Sequence, residues 1–104
     1  MTFPVLVQSQ LDGLVRLTRE RWKHIEEKIQ KGERRPDITM ITQTLKDPEE
    51  IRASNHDPEV HLYYRAYGSR WSVVVIKHDP HGSFVLTAYM ADRVKQGGLL
   101  WRKS

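Results

Sequence analysis

The sequence predicts an α+β domain in which two helices are followed by a four-stranded antiparallel sheet. Two apolar stripes with helical spacing occupy the first half of the chain, and segments with strand composition fill most of the second half. The connections between these strands are short and rich in turn residues, which favours an antiparallel meander over helical crossovers. We expect one domain over residues 1–104, long enough to bury about two-thirds of its unfolded surface.

The N-terminal segment is expected to form either one strand or a hairpin. Residues 3–9 have the composition of a short strand, and Asp12-Gly13 is a turn signal. That turn would return the chain into LVRLT (14–18) as a second strand. The hairpin would then lead directly into the first helix.

The first predicted helix begins behind Thr18, an N-cap residue type, and ends near Gly32. Its apolar stripe consists of Trp22, Ile25 and Ile29. A second short helix is predicted over 36–46, with Pro36 at an early helical position and Asp47-Pro48 ending it. The apolar face of this second helix consists of Ile38, Ile41 and Leu45.

Four strands are predicted after the helices: IRAS (51–54), VHLYYRAY (60–67), WSVVVIKH (71–78) and SFVLTAYM (83–90). The intervening NHDPE, GSR and DPHG are turn sequences. The C-terminal DRVKQGGLLW is expected to be a helical turn or a tail that packs back onto the domain.

A hairpin register can be drawn by pairing Tyr67 with Trp71 across the GSR turn. If the next hairpin has a five-residue loop, so that Val75 faces Thr87, one face of the sheet carries His61, Tyr63, Arg65, Lys77, Thr87 and Tyr89. A slip of one residue in that hairpin would separate Thr87 and Tyr89 from the rest. Arg52 and Ser54 join this face if Arg52 pairs with Tyr63. The opposite face carries Val60, Leu62, Tyr64, Val74, Ile76, Phe84, Leu86 and Ala88, for the helices to cover. The polar set contains cations, hydroxyls and aromatics but no acid. Its alternative is the ordinary water-facing side of an antiparallel sheet.

Charge and composition narrow the class of protein. Seventeen Lys and Arg against thirteen Asp and Glu give a net charge of +4, which permits binding to a polyanion without establishing it. Residues 61–78 contain three cations and two histidines but no acid. The absence of cysteine excludes disulfides and thiolate metal sites. No signal peptide or membrane-spanning segment is recognisable, so a cytoplasmic location without membrane contact is expected.

Five motifs in a fixed order carry a family resemblance. They are WKHI (22–25), DPEEIRAS (47–54), HLYYR (61–65), the strand ending at Lys77 and VLTAY (85–89). From about Leu14 to Trp101 the chain resembles the phage-associated branch of the barnase–EndoU–colicin–RelE-like (BECR) ribonuclease fold. The resemblance implies a metal-independent endoribonuclease of prophages or toxin systems, with no cofactor and with its active site on the concave face of the sheet.

Such an enzyme lets the RNA 2′-OH attack the adjacent phosphate, which leaves a cyclic phosphate end. The reaction needs a base, an acid and a cation near the crowded phosphate. His24 is the leading base or acid, and Arg52 is the candidate phosphate clamp. The other candidate catalytic residues are Tyr63, Thr87 and Tyr89. The candidate RNA-binding residues are Lys77, Arg65, His61, Lys23 and Arg70.

Each assignment has an ordinary alternative. His24 would otherwise be a surface histidine, Arg52 a solvated strand arginine and Thr87 a good strand residue. Two histidine pairs, His56 with His61 and His78 with His81, lack the helical spacing of a metal pair, so no metal is expected. The expected partner is RNA, and the resemblance adds an acidic antitoxin or immunity protein. The alternative function is a non-catalytic RNA-binding or protein-interaction module on the same fold.

Overall fold

The computed structural model describes residues 2–95 and 97–104, and within them it contains two helices and seven strands. The helices are α1 (Arg19–Gln30) and α2 (Ile38–Lys46). The strands are β1 (Val5–Gln8), β2 (Leu14–Leu17), β3 (Glu50–Ala53), β4 (Val60–Tyr67), β5 (Arg70–Asp79), β6 (Gly82–Ala91) and β7 (Gly98–Arg102). None of the helices in this part of the chain is both long and apolar enough to cross a membrane.

All seven strands form one mixed sheet with the order β1-β2-β6-β5-β4-β3-β7. Neighbours are antiparallel except β2 and β6, which are parallel. The α+β class agrees with the prediction, but the four-stranded antiparallel meander is wrong. The four predicted strands form the middle of the sheet as β3 to β6, and each edge of this middle part is extended by further strands.

The extension beyond β6 is the N-terminal hairpin. Its turn is closed by the Ser9 amide, which donates to the Gly13 carbonyl at 2.8 Å, and Gly13 adopts a φ of +66°. The returning strand β2 pairs in parallel with β6, with Val15 opposite Ser83. This contact joins residues far apart in sequence, so local turn chemistry could not predict it.

The C-terminal segment extends the sheet beyond β3. It forms a strand, so the expectation of a helical turn or a tail is wrong. β7 pairs antiparallel with β3, with Ala53 opposite Gly98. The backbone at Gly97 lies so close to β3 that a Cβ there would be 2.6 Å from the Ala53 carbonyl oxygen. Gly97 therefore permits a close contact with β3 that the composition of the segment alone does not indicate.

Both helices begin at side-chain caps. The predicted cap Thr18 is confirmed, because its Oγ1 accepts a hydrogen bond from the Arg21 amide at 3.2 Å. Asp37 caps α2 by accepting from the Met40 amide at 2.9 Å, so this helix begins two residues after Pro36.

The helices cover one side of the sheet, which we call the helix face. Its buried core contains Ile25, Ile41 and Leu45 from the helices and Ile51, Tyr63, Val74, Ile76, Val85 and Ala88 from the sheet. The other side, which we call the opposite face, carries two cross-strand rows. They are Arg52-Leu62-Val75-Thr87 and Glu50-Tyr64-Val73-Tyr89.

The observed pairing of β4 with β5 shows that the predicted polar face is partly wrong. Tyr67 pairs with Arg70, so the β4–β5 turn has two loop residues instead of the three that pairing with Trp71 requires. A shift of one residue moves every side chain of the strand to the other side of the sheet. Tyr63 is therefore buried on the helix face, together with the neighbouring positions His61 and Arg65, while Tyr64 lies on the opposite face.

Candidate functional site

A cavity of about 160 Å³ opens on the opposite face, between β3, β4, β6 and the segment before β7. Its lining residues are Arg52, Ala53, Ser54, Asn55, His56, Leu62, Tyr64, Tyr89, Lys95 and Gly97. Among the described residues this lining contains two cations, one histidine and two tyrosines but no carboxylate. A cavity of about 150 Å³ holds a benzene molecule, so this one has room for a sugar ring or a phosphate group.

Arg52 is held in the cavity wall by its own neighbours. Its Nε and Nη2 donate to Glu50 Oε2 at 3.0 and 2.7 Å, and its Nη1 donates to the Gly97 carbonyl at 2.9 Å. A guanidinium has five N–H groups, so these contacts leave one N–H on each terminal nitrogen for an outside acceptor. Glu50 fixes the plane of the guanidinium and offsets part of its charge. Arg102, whose Nη2 lies 3.6 Å from the same Glu50 oxygen, adds positive charge to the cluster.

The turn after β3 brings a histidine to the same cavity. Ser54 Oγ accepts a hydrogen bond from the His56 amide at 3.1 Å, which is a local turn contact that serine favours. The Ser54 amide in turn donates to the Val60 carbonyl at 2.9 Å and ties the loop to β4. The exposed His56 side chain therefore lines the cavity from a loop anchored at its base.

The two tyrosines of the lining are suited to donate hydrogen bonds. Burial raises the pKa of Tyr64, and burial likewise raises the pKa of Tyr89, against the opposing effect of the Arg35 charge. Both hydroxyls therefore keep their protons at neutral pH. The Tyr64 ring also meets Trp71 edge to face, with the ring centroids 6.4 Å apart.

Buried tyrosines predict a loss of stability in alkali. Burial raises the pKa of Tyr63 as well as that of Tyr64, so both stay protonated in the folded state after unfolded tyrosines have ionised. The contribution of the two protonated tyrosines to the free energy of unfolding is complete below about pH 10. It is lost as the pH rises through the folded pKa values, and each tyrosine lowers the free energy of unfolding by at most about 1.4 kcal/mol per pH unit. Urea denaturation between about pH 8 and about pH 11 measures it. Tyr64→Phe should lessen the slope, and a flat profile would contradict the prediction.

The structure brings together some of the predicted catalytic residues. Arg52 and Tyr89 line the cavity, and Thr87 lies on the same face, in the cross-strand row of Arg52. Tyr63 does not join them, because it is fully buried on the helix face. His24 is exposed on α1, whose apolar side packs on the helix face, and it is not among the lining residues.

The predicted RNA-binding residues are spread over the surface and do not line the cavity. Three of them form ion pairs on the surface. Lys77 Nζ lies 3.2 Å from Asp57, and Arg65 Nη1 lies 2.9 Å from Asp47. Arg70 Nη1 lies 3.7 Å from Asp92. The remaining two are Lys23, which is exposed on α1, and His61, which contacts Asp12.

Of the five ionisable side chains that line the cavity, sequence reasoning missed three. The sequence predicts a turn at His56, a helical turn or a tail at Lys95, and a position in the helix-covered core for Tyr64. A signal was present for His56, because it follows the predicted strand 51–54, which carries Arg52 and Ser54, by only two residues. The position of Lys95 depends on the pairing of β7 with β3, for which the composition gave no signal.

A second polar cluster was also missed, on the helix face. His61 Nδ1 and His78 Nε2 each donate to Asp12 Oδ1 at 2.9 Å, and the Tyr63 hydroxyl donates to Oδ2 at 2.6 Å. Asp12, His61 and His78 are the described residues that could hold a metal ion, because their ligand atoms lie within 4.8 Å of one another. The sequence interpretation paired each histidine with a near neighbour in the chain. The β4–β5 register instead pairs His61 with Ile76, so that His78, two residues farther along β5, lies on the same side of the sheet as His61, and the β1–β2 turn supplies Asp12.

Comparison with protein-family models, with curated proteins and with solved structures finds no match for this chain. The BECR resemblance therefore remains a resemblance of ordered sequence motifs. The function of the cavity must be argued from the side chains that line it.

Proposed function

We propose that this protein is an endoribonuclease that binds RNA at the cavity on the opposite face. It cuts by attack of the 2′-OH on the adjacent phosphate, without a metal ion. The observation that carries the proposal is the lining itself, which places Arg52, Lys95 and His56 beside two protonated tyrosines with no carboxylate among them.

The cations account for the attraction of a phosphodiester. Phosphate contacts by arginine and lysine supply most of the affinity of proteins for nucleic acids. Arg52 keeps an N–H on each terminal nitrogen after its contacts with Glu50 and Gly97, and the tyrosine hydroxyls add neutral donors. Non-bridging oxygens of a phosphate accept from both kinds of group, and the charge that develops on them during attack strengthens these bonds.

His56 supplies the proton transfer. It accepts the proton of the 2′-OH as the oxygen forms its bond to phosphorus, a role that imidazoles perform well near neutral pH. The bond from phosphorus to the 5′-oxygen breaks, and a tyrosine hydroxyl of the lining donates a proton to that oxygen. The products are a 2′,3′-cyclic phosphate and a 5′-hydroxyl. His56 thus takes the role that the motif order suggested for His24.

The family resemblance supports the same face. The motif DPEEIRAS contains Arg52 and Ser54, and the motif VLTAY contains Thr87 and Tyr89. Three of these four residues line the cavity, and Thr87 lies on the same side of the sheet. Residues of two separate motifs therefore meet at one concave patch, as expected for that fold.

The test is to incubate purified protein with single-stranded RNA in the presence of EDTA and to analyse the 3′ ends by mass spectrometry. Cyclic phosphate ends are expected, and a 2′-deoxy substitution at the cleavage position should abolish the cut. His56→Ala should lower the rate by about 10²–10⁴-fold. His81→Ala, which removes an exposed histidine of the β5–β6 turn, is the matched control and should cleave normally.

Two results would decide against cleavage. Intact RNA that shifts on a gel, with the shift weakened by Arg52→Ala, would favour the non-catalytic RNA-binding module. Intact RNA without a shift would contradict any RNA-binding role for the cavity.

A further inference from the structure

The polar cluster around Asp12 has the donor set of a transition-metal site. The carboxylate faces His61 Nδ1 at 2.9 and 3.0 Å and His78 Nε2 at 2.9 Å. The two imidazole rings meet edge to face, with their centroids 4.9 Å apart. Two imidazoles and one carboxylate form a ligand set that suits divalent first-row ions.

The spacing of the donor atoms is close to what such an ion needs. With metal–ligand distances of about 2.0–2.1 Å in a tetrahedral arrangement, neighbouring donors lie about 3.3 Å apart. The present hydrogen bonds are a few tenths of an ångström shorter than that. The two contacts with Asp12 must therefore open slightly for an ion to enter, while the two imidazole nitrogens already lie within 4.8 Å of each other.

The groups behind the ligands are already in place. Ser83 Oγ lies 2.6 Å from His78 Nδ1, and the Tyr63 hydroxyl donates to Asp12 Oδ2 at 2.6 Å. Metal-binding histidines and carboxylates commonly need such partners to fix their orientation. Here they leave His78 Nε2 and Asp12 Oδ1 as the atoms that face the centre of the cluster.

The loop that carries Asp12 is also fixed. The Asp12 amide donates to Ser9 Oγ at 2.9 Å, and Ser9 Oγ donates to the Gly13 carbonyl at 2.7 Å. Burial follows a gradient in which the Asp12 side chain is 5% exposed, His61 15% and His78 37%. An ion can therefore enter from the His78 side, where water can complete its coordination.

We propose that Asp12, His61 and His78 bind one divalent first-row transition ion, with Zn²⁺ as the probe. The ion bonds to His61 Nδ1, His78 Nε2 and a carboxylate oxygen in place of the two N–H hydrogen bonds. His78 then carries its proton on Nδ1 and donates to Ser83 Oγ, and His61 carries its proton on Nε2, so both rings remain neutral. The site lies on the helix face and is independent of the proposed RNA cavity.

The test is a Zn²⁺ titration of the EDTA-treated, RNA-free protein. Binding is monitored by calorimetry and, in a separate titration, by competition with a chromophoric chelator. We expect saturation at one ion per chain and a Tm that rises with the Zn²⁺ concentration. Co²⁺ should give the visible absorption of a tetrahedral or five-coordinate site. The imidazole NMR signals of His61 and His78 should shift, while those of the exposed His81 stay in place.

Variants separate this site from adventitious surface binding. Asp12→Asn keeps the side-chain shape and should abolish stoichiometric binding, as should His78→Ala. Tyr63→Phe and Ser83→Ala remove only the supporting groups and should weaken affinity by about 10–100-fold. His81→Ala should bind as the unaltered protein does. An unaltered protein that takes up no ion at one-to-one stoichiometry overturns the proposal, as does full binding by both Asp12→Asn and His78→Ala.

Discussion

Arg52→Ala is expected to lower kcat/KM for RNA cleavage by about 10²–10³-fold, the usual cost of removing one preorganised donor from a charged transition state. Arg52 projects from β3 into the cavity, and Glu50 and Gly97 hold its guanidinium in place. Because the guanidinium is already oriented, little ordering remains to be done when the phosphate arrives. The loss should therefore appear mainly in kcat, which single-turnover kinetics on a labelled RNA measures.

The matched control is Arg70→Ala, which also removes one positive charge from the sheet but lies outside the cavity lining. It should reduce cleavage only slightly, through the general attraction of RNA. Arg52→Lys keeps the charge without the planar fork and should recover only part of the activity. A thermal unfolding curve of each variant checks that it is folded. Equal effects of Arg52→Ala and Arg70→Ala would remove Arg52 from the mechanism.

Asp12→Ala is expected to lower the free energy of unfolding by roughly 3 kcal/mol, because it leaves the donors of Tyr63, His61 and His78 without their acceptor. Tyr63 is fully buried, so water cannot replace the lost bond there, whereas the more exposed His78 can be solvated. The corresponding fall in Tm exceeds about 10 °C for a domain of this size. Urea denaturation in EDTA measures the effect without any contribution from a bound ion.

Asp92→Ala is the control for this second prediction, since Asp92 is 84% exposed and its pair with Arg70 is long. Its effect should stay within about 0.5 kcal/mol. The effect of Asp12→Asn should fall between those of Asp12→Ala and Asp92→Ala, because an amide oxygen can still accept up to two of the three hydrogen bonds. A change of less than about 1 kcal/mol in Asp12→Ala would show that the cluster contributes little to the fold.

The local elements could be predicted because their signals are local. Thr18 caps α1 as expected, and the apolar spacing of both helices identified the side that packs on the sheet. The four strands of the middle of the sheet also agree with the alternation and turn residues of the sequence. The parallel contact of β2 with β6 and the pairing of β7 with β3 depend on distant segments, so the sheet was predicted too small.

The assignment of faces failed at one turn. The sequence GSR does not distinguish a two-residue loop from a three-residue loop, and the observed pairing of Tyr67 with Arg70 exchanges the positions of Tyr63 and Tyr64. Across the sheet, however, Arg52 pairs with Leu62 instead of Tyr63, Leu62 pairs with Val75, and Val75 pairs with Thr87. For that reason Thr87 and Tyr89 still share a face with Arg52.

The candidate sites differ in how much of them the sequence contained. Arg52 and Tyr89 could be chosen because their residue types suit phosphate contact and their motifs suggested one face. The Asp12 cluster could not be predicted from the sequence, because Asp12 is separated by 49 residues from His61 and by 66 residues from His78. Only the hairpin turn and the strand register bring these three side chains together.

The central claim is that the cavity on the opposite face binds an RNA phosphodiester, and an NMR titration with an uncleavable 2′-O-methyl oligonucleotide tests it most directly. We predict that the largest chemical-shift changes fall on Arg52, His56, Tyr64, Tyr89 and Lys95. The signals of α1, including His24, should change little. Changes concentrated on the helix face, or no saturable change at all, would contradict the account.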